Sequence, residues 1–326
     1  MLFHMKATQQ NPYPKTFEEF LDWFPSEADC LEYLEWIRWG NGFRCPRCGG
    51  DTAWKIARNN LWHCKACGHQ CSARAGTVFD DGRKPLRLWF HVMWLMMAQK
   101  TGMSAKNFHD TFGFGSYQTS WGWLQKLRSV MVRPGRERLS GRIELDETYV
   151  GGQKEGTRGR GAEGKTLVLV AVEGEKSKKL GRVRFRIIKS ASSSDIKPFI
   201  LDYIQEGATI VTDGLKSYEM IDEMPFKHER YVQNPKDKTK VPDSRLEHVH
   251  LVISLLKRWL NGTHQGAVTP NHLSGYLDEF AFRFNRRTST HRGLLWYRLI
   301  QQTVTARPTS IKEFYVAKGI VSGDEL

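Results

Sequence analysis

The sequence lacks an apolar run long enough to cross a membrane. A membrane-spanning helix needs about 18 or more consecutive apolar residues. The most apolar stretch, residues 86–98, is shorter and contains Arg87 and His91. The N-terminus also lacks an apolar core followed by a small-residue cleavage site, so no secretory signal is predicted. We therefore expect a cytoplasmic protein whose thiols stay reduced.

Acidic residues are scarce relative to basic ones, and no internal repeat is visible. The 326 residues contain 35 Asp and Glu against 49 Lys and Arg, a formal net charge of +14. This excess favours a polyanionic partner, with nucleic acid ahead of an anionic membrane surface. A basic protein without such a partner is the alternative. With 40% hydrophobic and 26% charged residues, wholesale disorder is excluded.

What the sequence does contain is a cluster of cysteines. The two C-x2-C pairs, separated by fifteen residues, are Cys45, Cys48, Cys64 and Cys67. This spacing predicts a zinc ribbon in which four thiolates hold one Zn²⁺. Four protein ligands leave no open position for water, so the site is expected to be structural. Cys71 and His69 lie nearby, but Cys71, like Cys30, is expected to be a buried core residue.

The middle of the chain has helical periodicity. Apolar residues recur at spacings of three and four in residues 88–99 and 121–131. A short helix, a glycine turn and a second helix opening at Ser116 resemble a helix–turn–helix, whose second helix could enter a major groove. A simple packing bundle is the alternative, with Trp121 and Trp123 in its core.

The period then changes from helix to strand. Strand-like runs alternate with helical segments from about residue 142, which predicts a mixed α/β domain. The fold class is therefore α+β or α/β multidomain, with a zinc ribbon, a helical middle and a domain built on a mixed sheet. The predicted parts are an N-terminal helical segment (1–40), the ribbon (41–79), a helical DNA-binding region (80–135), a catalytic domain (136–305) and a C-terminal tail (306–326).

Two aspartates stand out in the β-rich half. Strand alternation places Glu144 and Asp146 on one face and Leu145 on the other. Asp213 ends a later strand, where its alternative role is that of a turn residue before Gly214. One Asp inside the first strand and another at the end of a later strand is how an RNase H-like sheet presents carboxylates to divalent metals. Such oxygen ligands suit Mg²⁺ or Mn²⁺.

Several motifs in order carry a family resemblance. They are LDETYVGG, TDGLKSY, SLLKRWLNGTHQG and HLSGYLDEFAFRFNRR, preceded by the cysteine cluster and the helical middle. From about Thr16 to Asn285 the chain resembles zinc-ribbon transposases of bacterial insertion sequences, the ISXO-type family. The resemblance implies that Asp146 and Asp213 are the first two metal-binding residues of a DDE-type site.

The third catalytic position of the family lies seven residues before the lysine of SLLKR. That lysine is Lys257, so the position is His250, as in a His-bearing subgroup. Glu247, three residues earlier on the same predicted helix, is the alternative third ligand. His248 is expected to point elsewhere. Lys257 lies two helical turns from His250 and is expected to contact a DNA phosphate.

The expected activity is that of a DNA transposase. It would cleave the ends of an insertion sequence and join them to target DNA with Mg²⁺ or Mn²⁺, acting at the nucleoid as a dimer or larger assembly. The residues expected to contact DNA are Lys257, Arg258, Arg133, Arg136, Arg158 and Arg160. The alternatives are a catalytically inactive DNA-binding protein derived from a transposase and an RNase H-like nuclease or resolvase.

Overall fold

The computed structural model separates the chain into two compact units. It describes residues 6–80, 84–133, 135–151, 165–174, 180–231, 246–266, 268–306, 310 and 313–314. The first unit runs to Arg133 and resumes at Thr288, and the second spans Pro134–Arg287. Within the described residues, no helix is both long enough and apolar enough to span a membrane.

The first unit begins with α1 (Phe17–Trp23) and α2 (Glu27–Trp39). Ser26 caps α2 as the sequence predicts, and the Asp29 carboxylate accepts a hydrogen bond from the Ser26 amide in return. This reciprocal pair satisfies amides that the first turn leaves without helical partners. The start of α2 is therefore fixed by local sequence alone.

A small antiparallel sheet follows α2. Its strands are β1 (Ala53–Ile56), β2 (Leu61–Cys64) and β3 (Gln70–Cys71), in the order β1-β2-β3. Arg38 of α2 donates to the backbone carbonyls of Ser72 and Ala73 just after β3. This contact ties the predicted ribbon to the preceding helix.

Three helices form the middle of the chain: α3 (Leu86–Ala98), α4 (Ala105–Phe112) and α5 (Tyr117–Ser129). Gly113 ends α4 with φ of 62°, and Ser116 caps α5, so the predicted helix–turn–helix elements are present. The indole of Trp123 stacks on that of Trp89 from α3, with 3.4 Å between the ring centroids. Trp121 and Trp123 are buried, as expected for core residues.

Helix α9 (Arg292–Thr305) lies in the first unit, although the sequence suggests a catalytic domain running to residue 305. Trp296 is fully buried among aromatic side chains of α1 to α3, and its indole N–H donates to the carbonyl of Phe90. Gly293 allows close approach, because a Cβ there would lie 1.7 Å from the Pro14 carbonyl oxygen. Burial of this apolar face outweighs chain proximity to the helix that precedes α9.

The second unit is built on a mixed sheet in the order β6-β5-β4-β7-β8. Its strands are β4 (Arg142–Val150), β5 (Thr166–Gly174), β6 (Leu180–Ile188), β7 (Thr209–Asp213) and β8 (Lys227–Tyr231). The first three pair antiparallel, whereas β7 and β8 add in parallel. This order and these directions are those of the RNase H-like fold, which confirms the predicted fold class.

Helices cover both faces of this sheet. On one face, α6 (Ser193–Tyr203) packs with the odd-numbered β4 residues Ile143 and Leu145. On the other face, α7 (Glu247–His264) and α8 (Pro270–Phe284) pack with valines of β5 and Val211 of β7. The even-numbered β4 residues therefore face α7, which makes this the side of the sheet that holds the predicted site.

Candidate active site and zinc centre

The four predicted zinc ligands come together in the ribbon. Their sulfur atoms all lie within 4.8 Å of one another. Cys45 and Cys67 Sγ are 3.7 Å apart, as are those of Cys48 and Cys64. Tetrahedral Zn²⁺ with bonds of about 2.3 Å would separate its sulfur ligands by about 3.8 Å. The spacing and the all-sulfur donor set therefore fit a structural zinc ion.

Two backbone turns present these cysteines. Gly49 N–H donates to the Cys45 carbonyl, and Gly68 N–H donates to the Cys64 carbonyl. Both glycines have positive φ, 75° and 69°, which residues with a Cβ adopt with difficulty. Cys71 is buried on β3 and lies outside the sulfur cluster. Among the described residues, the four clustered cysteines are those that the sequence predicts as ligands.

Asp146 and Asp213 lie on adjacent parallel strands. Glu144 of β4 is in register with Val211 of β7, and each aspartate lies two residues further along its strand. Register partners on parallel strands project to the same face, and residues two apart on a strand share that face. The two carboxylates are thus neighbours on the face that α7 covers, with Asp146 in the middle of β4 and Asp213 at the last residue of β7.

Local hydrogen bonds orient both carboxylates. Asp146 Oδ1 accepts from the amide of Glu147 at 2.8 Å. Asp213 Oδ1 accepts from the amide of Leu215 at 3.0 Å, closing a turn after β7. The predicted turn role of Asp213 is therefore real, but one carboxylate oxygen suffices for it. The second oxygen of Asp213 stays available to a ligand, whereas that of Asp146 faces His250.

His250 reaches Asp146 from α7. Its Nε2 lies 3.3 Å from Asp146 Oδ2, and its side chain is 53% exposed. The hydrogen bond with Asp146 raises the pKa of His250 most, burial opposes this, and the charges of Asp146, Glu144 and Asp213 add to it. Glu247, the alternative ligand, is exposed in the first turn of α7, and among the described residues no hydrogen bond or ion pair joins it to either aspartate.

The Asp–Asp–His group is more open than the cysteine cluster. In the part of the chain that the structure describes, the cysteines alone form a group of three or more candidate ligands all within 4.8 Å. The site consists of two carboxylates and one imidazole that are partly exposed and lie on three different elements. These mostly oxygen ligands could bind more than one metal ion. This donor set fits divalent ions that keep open positions for substrate.

One buried pair beside this site is absent from the sequence-based prediction. Glu144 is 2% exposed, and its Oε1 lies 2.6 Å from His248 Nδ1. Its Oε2 accepts from the amide of Val249 at 2.9 Å. The unusual position of a Glu inside a strand was the available signal, but its partner lies 104 residues away. His248 does point away from the aspartates, as expected.

Glu147 of the same strand faces the opposite side. Its Oε2 accepts from the hydroxyl of Tyr218, which is fully buried in the turn of 3-10 helix after β7. Burial raises the pKa of Tyr218 well above its usual value, and the charges of Glu147, Asp146 and Asp213 raise it further. Tyr218 is thus a neutral donor that ties the segment after Asp213 to β4.

Basic residues flank the carboxylates. Burial lowers the pKa of Lys257, the charge of Asp146 opposes this, and the charge of Lys165 adds to it. Lys257 lines a cavity of about 240 Å³ at the end of β4. A larger cavity of about 780 Å³ includes Lys165 and Lys189, and Tyr149 lines both. Positive charge and space therefore lie on both sides of the end of β4.

The other predicted DNA contacts are more scattered. Arg258 on α7 and Arg133 are exposed. The Arg136 guanidinium lies 5.0 Å from the ring centroid of Tyr203. Arg158 and Arg160 lie outside the described residues, as do residues 152–164 around them. Lys189, which lines the larger cavity, is a basic residue that the structure adds to the expected set.

An RNase H-like domain with paired aspartates, carried by a chain that also holds a zinc ribbon, defines a nucleic-acid-processing enzyme. Residues 138–285 match the family model described as ISXO2-like transposase domain, and residues 25–70 match the transposase zinc-ribbon domain. Together the two matches span more than half of the chain. The chain belongs to the ISXO2-like zinc-ribbon transposases, the family that the sequence motifs resemble.

A curated relative supports this assignment. The chain is 28% identical over 278 residues to a Halobacterium salinarum protein described as an uncharacterized protein in transposable element ISH50. The similarity covers 80% of this chain and 91% of that protein. The relative therefore matches this chain over nearly its own full length.

Two solved structures show weaker similarity. One is the catalytic core domain of BIV integrase, with TM-score 0.33, 16% identity and coverage of 49% of this chain and 93% of that chain. The other is a simian T-cell lymphotropic virus intasome in complex with a PP2A regulatory subunit, with TM-score 0.31, 12% identity and coverage of 64% and 78%. The fold assignment stands on strand order and direction instead.

Proposed function

We propose that this transposase cuts DNA at the ends of an insertion sequence and joins those ends to target DNA. The single observation that carries the proposal is the placement of Asp146 and Asp213 at the same level of adjacent parallel strands. Both reactions are in-line displacements at phosphorus. Water would attack the phosphodiester at the end and displace the 3′-oxygen of the element, which leaves as a hydroxyl. That hydroxyl would then attack a target phosphodiester and displace the 3′-oxygen of the target strand. One site can therefore serve both.

Three residues of the site are proposed to bind metal. Asp146 and Asp213 would hold Mg²⁺ or Mn²⁺, with His250 completing the set. Bound divalent ions would activate the attacking oxygen and stabilise the leaving one. An imidazole suits Mn²⁺ better than Mg²⁺, since nitrogen is the softer donor. We therefore expect activity with Mn²⁺ to exceed activity with Mg²⁺.

Lys257 is proposed to bind a phosphate of the DNA end. Its ammonium interacts electrostatically with Asp146 and lines the cavity beside β4. Arg258, Arg133, Arg136, Arg158 and Arg160 are proposed as further contacts to the DNA backbone, which would locate the protein's action at the nucleoid. Because two ends must be joined, we propose that a dimer or larger assembly acts on DNA.

The zinc ribbon and the helical middle are proposed as DNA-binding parts. Zn²⁺ bound by the four cysteines would stabilise the ribbon without taking part in the reaction. In the helical region, Tyr117 and Gln118 at the start of α5 are exposed, whereas most of the helix is buried. Side chains at the start of the second helix are the ones that read base edges in a helix–turn–helix.

The deciding experiment measures nicking of labelled insertion-sequence ends by purified protein with Mn²⁺. The Asp146→Asn protein should bind the ends as tightly as wild type but neither nick nor join them. Nicking that persists in Asp146→Asn would contradict the assignment of the site. Binding without nicking by the wild-type protein would favour the inactive DNA-binding alternative, for which the half-exposed His250 in place of a carboxylate is the relevant observation.

A further inference from the structure

The buried Glu144–His248 pair has no place among the groups that would bind metal or DNA. Glu144 has a side chain that is 3% exposed, so neither DNA nor solvent reaches it. A carboxylate inside a sheet is costly unless its oxygens are hydrogen-bonded. Both are bonded, one to His248 Nδ1 at 2.6 Å and one to the Val249 amide at 2.9 Å. Each bond joins β4 to α7.

These bonds anchor the first turn of α7. The helix begins at Glu247 after Leu246, whose side chain has no group that could cap it. Val249 is the third helical residue, and its amide is one that a capping side chain usually satisfies. Glu144 supplies the missing acceptor from a strand, with a negative charge suited to a helix N-terminus.

A glycine on the neighbouring strand makes room for the histidine. A Cβ at Gly174 of β5 would lie 2.7 Å from Nδ1 of His248 and 3.2 Å from its Cε1 and Cγ. That separation from Nδ1 is shorter than side chains tolerate, and His248 is held in place by Glu144. The fit of His248 therefore depends on the absence of a side chain at residue 174.

The anchored turn carries His250. Residues two apart on a helix are rotated by about 200°, so the ring of His248 is directed inward while His250 reaches the rim of the sheet. Glu144 and Asp146 are two apart on β4, which separates them by roughly 7 Å. The bond between Glu144 and His248 thus sets both the rotation and the height of α7 where His250 Nε2 meets Asp146 Oδ2 at 3.3 Å.

We propose that Glu144 is a positioning residue: through His248, Val249 and the space at Gly174, it holds the first turn of α7 so that His250 faces Asp146. It contacts neither metal nor DNA. The inference rests on the proposed function only in that His250 and Asp146 are taken as the site being positioned.

The placement itself is tested by crystal structures of Glu144→Ala and Glu144→Gln. A glutamine can still accept from the Val249 amide and donate to a neutral His248, so the contact between His250 and Asp146 should be kept. Alanine should lose it. A Glu144→Ala structure that retains the contact overturns the proposal, whether or not the protein cuts DNA.

The consequence for the site is tested by calorimetric titration of the full chain with Mn²⁺. The binding heat that wild type shows and Asp146→Asn lacks is assigned to Mn²⁺ binding at the aspartates. Glu144→Ala should weaken this binding about tenfold or more, as loss of groups that orient metal ligands does. The Mn²⁺ affinity of Glu144→Gln should stay within about threefold of wild type. If the fold needed the buried charge itself, Glu144→Gln would lose as much affinity as Glu144→Ala.

Two further variants separate positioning from general damage. Gly174→Ala should displace His248 and weaken Mn²⁺ binding although both carboxylates remain. Gly262→Ala, on α7 with open space around its Cβ, is the matched control and should leave binding unchanged. In a His250→Ala background, Glu144→Ala should weaken binding no further. Additive losses there, or equal losses in Glu144→Gln and Glu144→Ala, contradict the proposal.

If no Mn²⁺ binding distinguishes wild type from Asp146→Asn, the proposed function fails, while the crystal structures still decide the positioning role. If Glu144→Ala does not fold, the Gly174→Ala structure takes its place. The expected result is then a His250 that no longer meets Asp146, and an unchanged contact overturns the inference.

Discussion

The two predicted metal sites of this chain are built in opposite ways. The cysteine site is local: four ligands come from two turns within residues 45–67, and all sulfurs lie within 4.8 Å. The carboxylate site is assembled from β4, β7 and α7, and its ligands span residues 146–250. The cysteine site has four protein ligands and no open position, whereas the carboxylate site is partly exposed to solvent, chiefly at His250.

This difference separates stability from chemistry. Four thiolates complete a tetrahedral ion and leave nothing for a substrate, so such a site contributes free energy of folding. Two aspartates and a histidine leave positions that water and phosphate oxygens can occupy. Losing the first site should therefore unfold structure, and losing the second should stop a reaction without loosening the fold.

The largest expected effect is that of zinc removal. Structural zinc contributes about 10 kcal/mol or more to folding in small zinc domains. Cys64→Ser, or a strong chelator, should abolish the protection of the backbone amides in β1 to β3 against hydrogen exchange. Cys71→Ser, a buried cysteine outside the cluster, is the control and should retain this protection. Equal protection with and without zinc would remove the contrast between the sites.

The opposite case is Asp213→Asn. Loss of one metal-binding carboxylate should lower the rate of end cleavage by about a thousandfold, equivalent to several kcal/mol of transition-state stabilisation. The melting temperature should stay the same or rise, because an amide oxygen can still accept from Leu215 and one negative charge beside Asp146 is removed. A melting temperature that falls as it does in Cys64→Ser would make the carboxylate site structural too.

A smaller effect is expected at Lys257. Removing one phosphate contact should weaken binding of the DNA end several-fold and reduce the slope of log affinity against log salt by about one. Lys257→Gln can be compared with Lys227→Gln, an exposed lysine on β8 in the same unit. Fluorescence anisotropy over a range of salt concentrations checks this, and identical slopes for the two variants would contradict the proposed contact.

The last effect is on stability alone and concerns Asp278 of α8, a carboxyl outside the site. Burial raises its pKa to about 6, although the charge of Arg136 opposes this. Since the folded pKa lies above the unfolded one, its contribution to stability is present below about pH 4 and is lost as pH rises through 6. Asp278→Asn should therefore raise the free energy of unfolding at pH 8 by up to about 3 kcal/mol.

The measurement is denaturant unfolding at pH 4 and pH 8. Glu206→Gln, an exposed carboxyl in the same unit, is the control and should show no such gain. A gain from Asp278→Asn that is equal at both pH values would show that Asp278 does not titrate between them. The comparison then distinguishes Asp213, whose charge a bound metal would stabilise, from Asp278, whose charged form is destabilised by burial.

The sequence predicted what depends on short-range pattern. Ser26 starts α2 where expected, the C-x2-C pairs form one cluster, and alternation puts Glu144 and Asp146 on one face. Each of these follows from a period or a spacing over a few residues. The adjacency of Asp146 and Asp213 needed more, namely a parallel register between strands that are far apart in the chain.

What could not be predicted depends on long-range packing. Helix α9 follows α8 in the chain but packs in the first unit, since burial of Trp296 is decided by residues about 200 positions earlier. The partner of Glu144 was equally hidden, because a Glu in a strand signals an unusual site but not which histidine meets it. Both depend on contacts that no local pattern encodes.

The close approach of Gly174 and His248 has an evolutionary consequence. A side chain at position 174 and an imidazole at position 248 cannot coexist in this packing, so the two positions should change together among relatives. A lineage that gains a bulkier residue at 174 should also have a smaller one at 248 and a changed residue at 144. Such covariation can be read from sequences alone, in chains whose structures have never been determined.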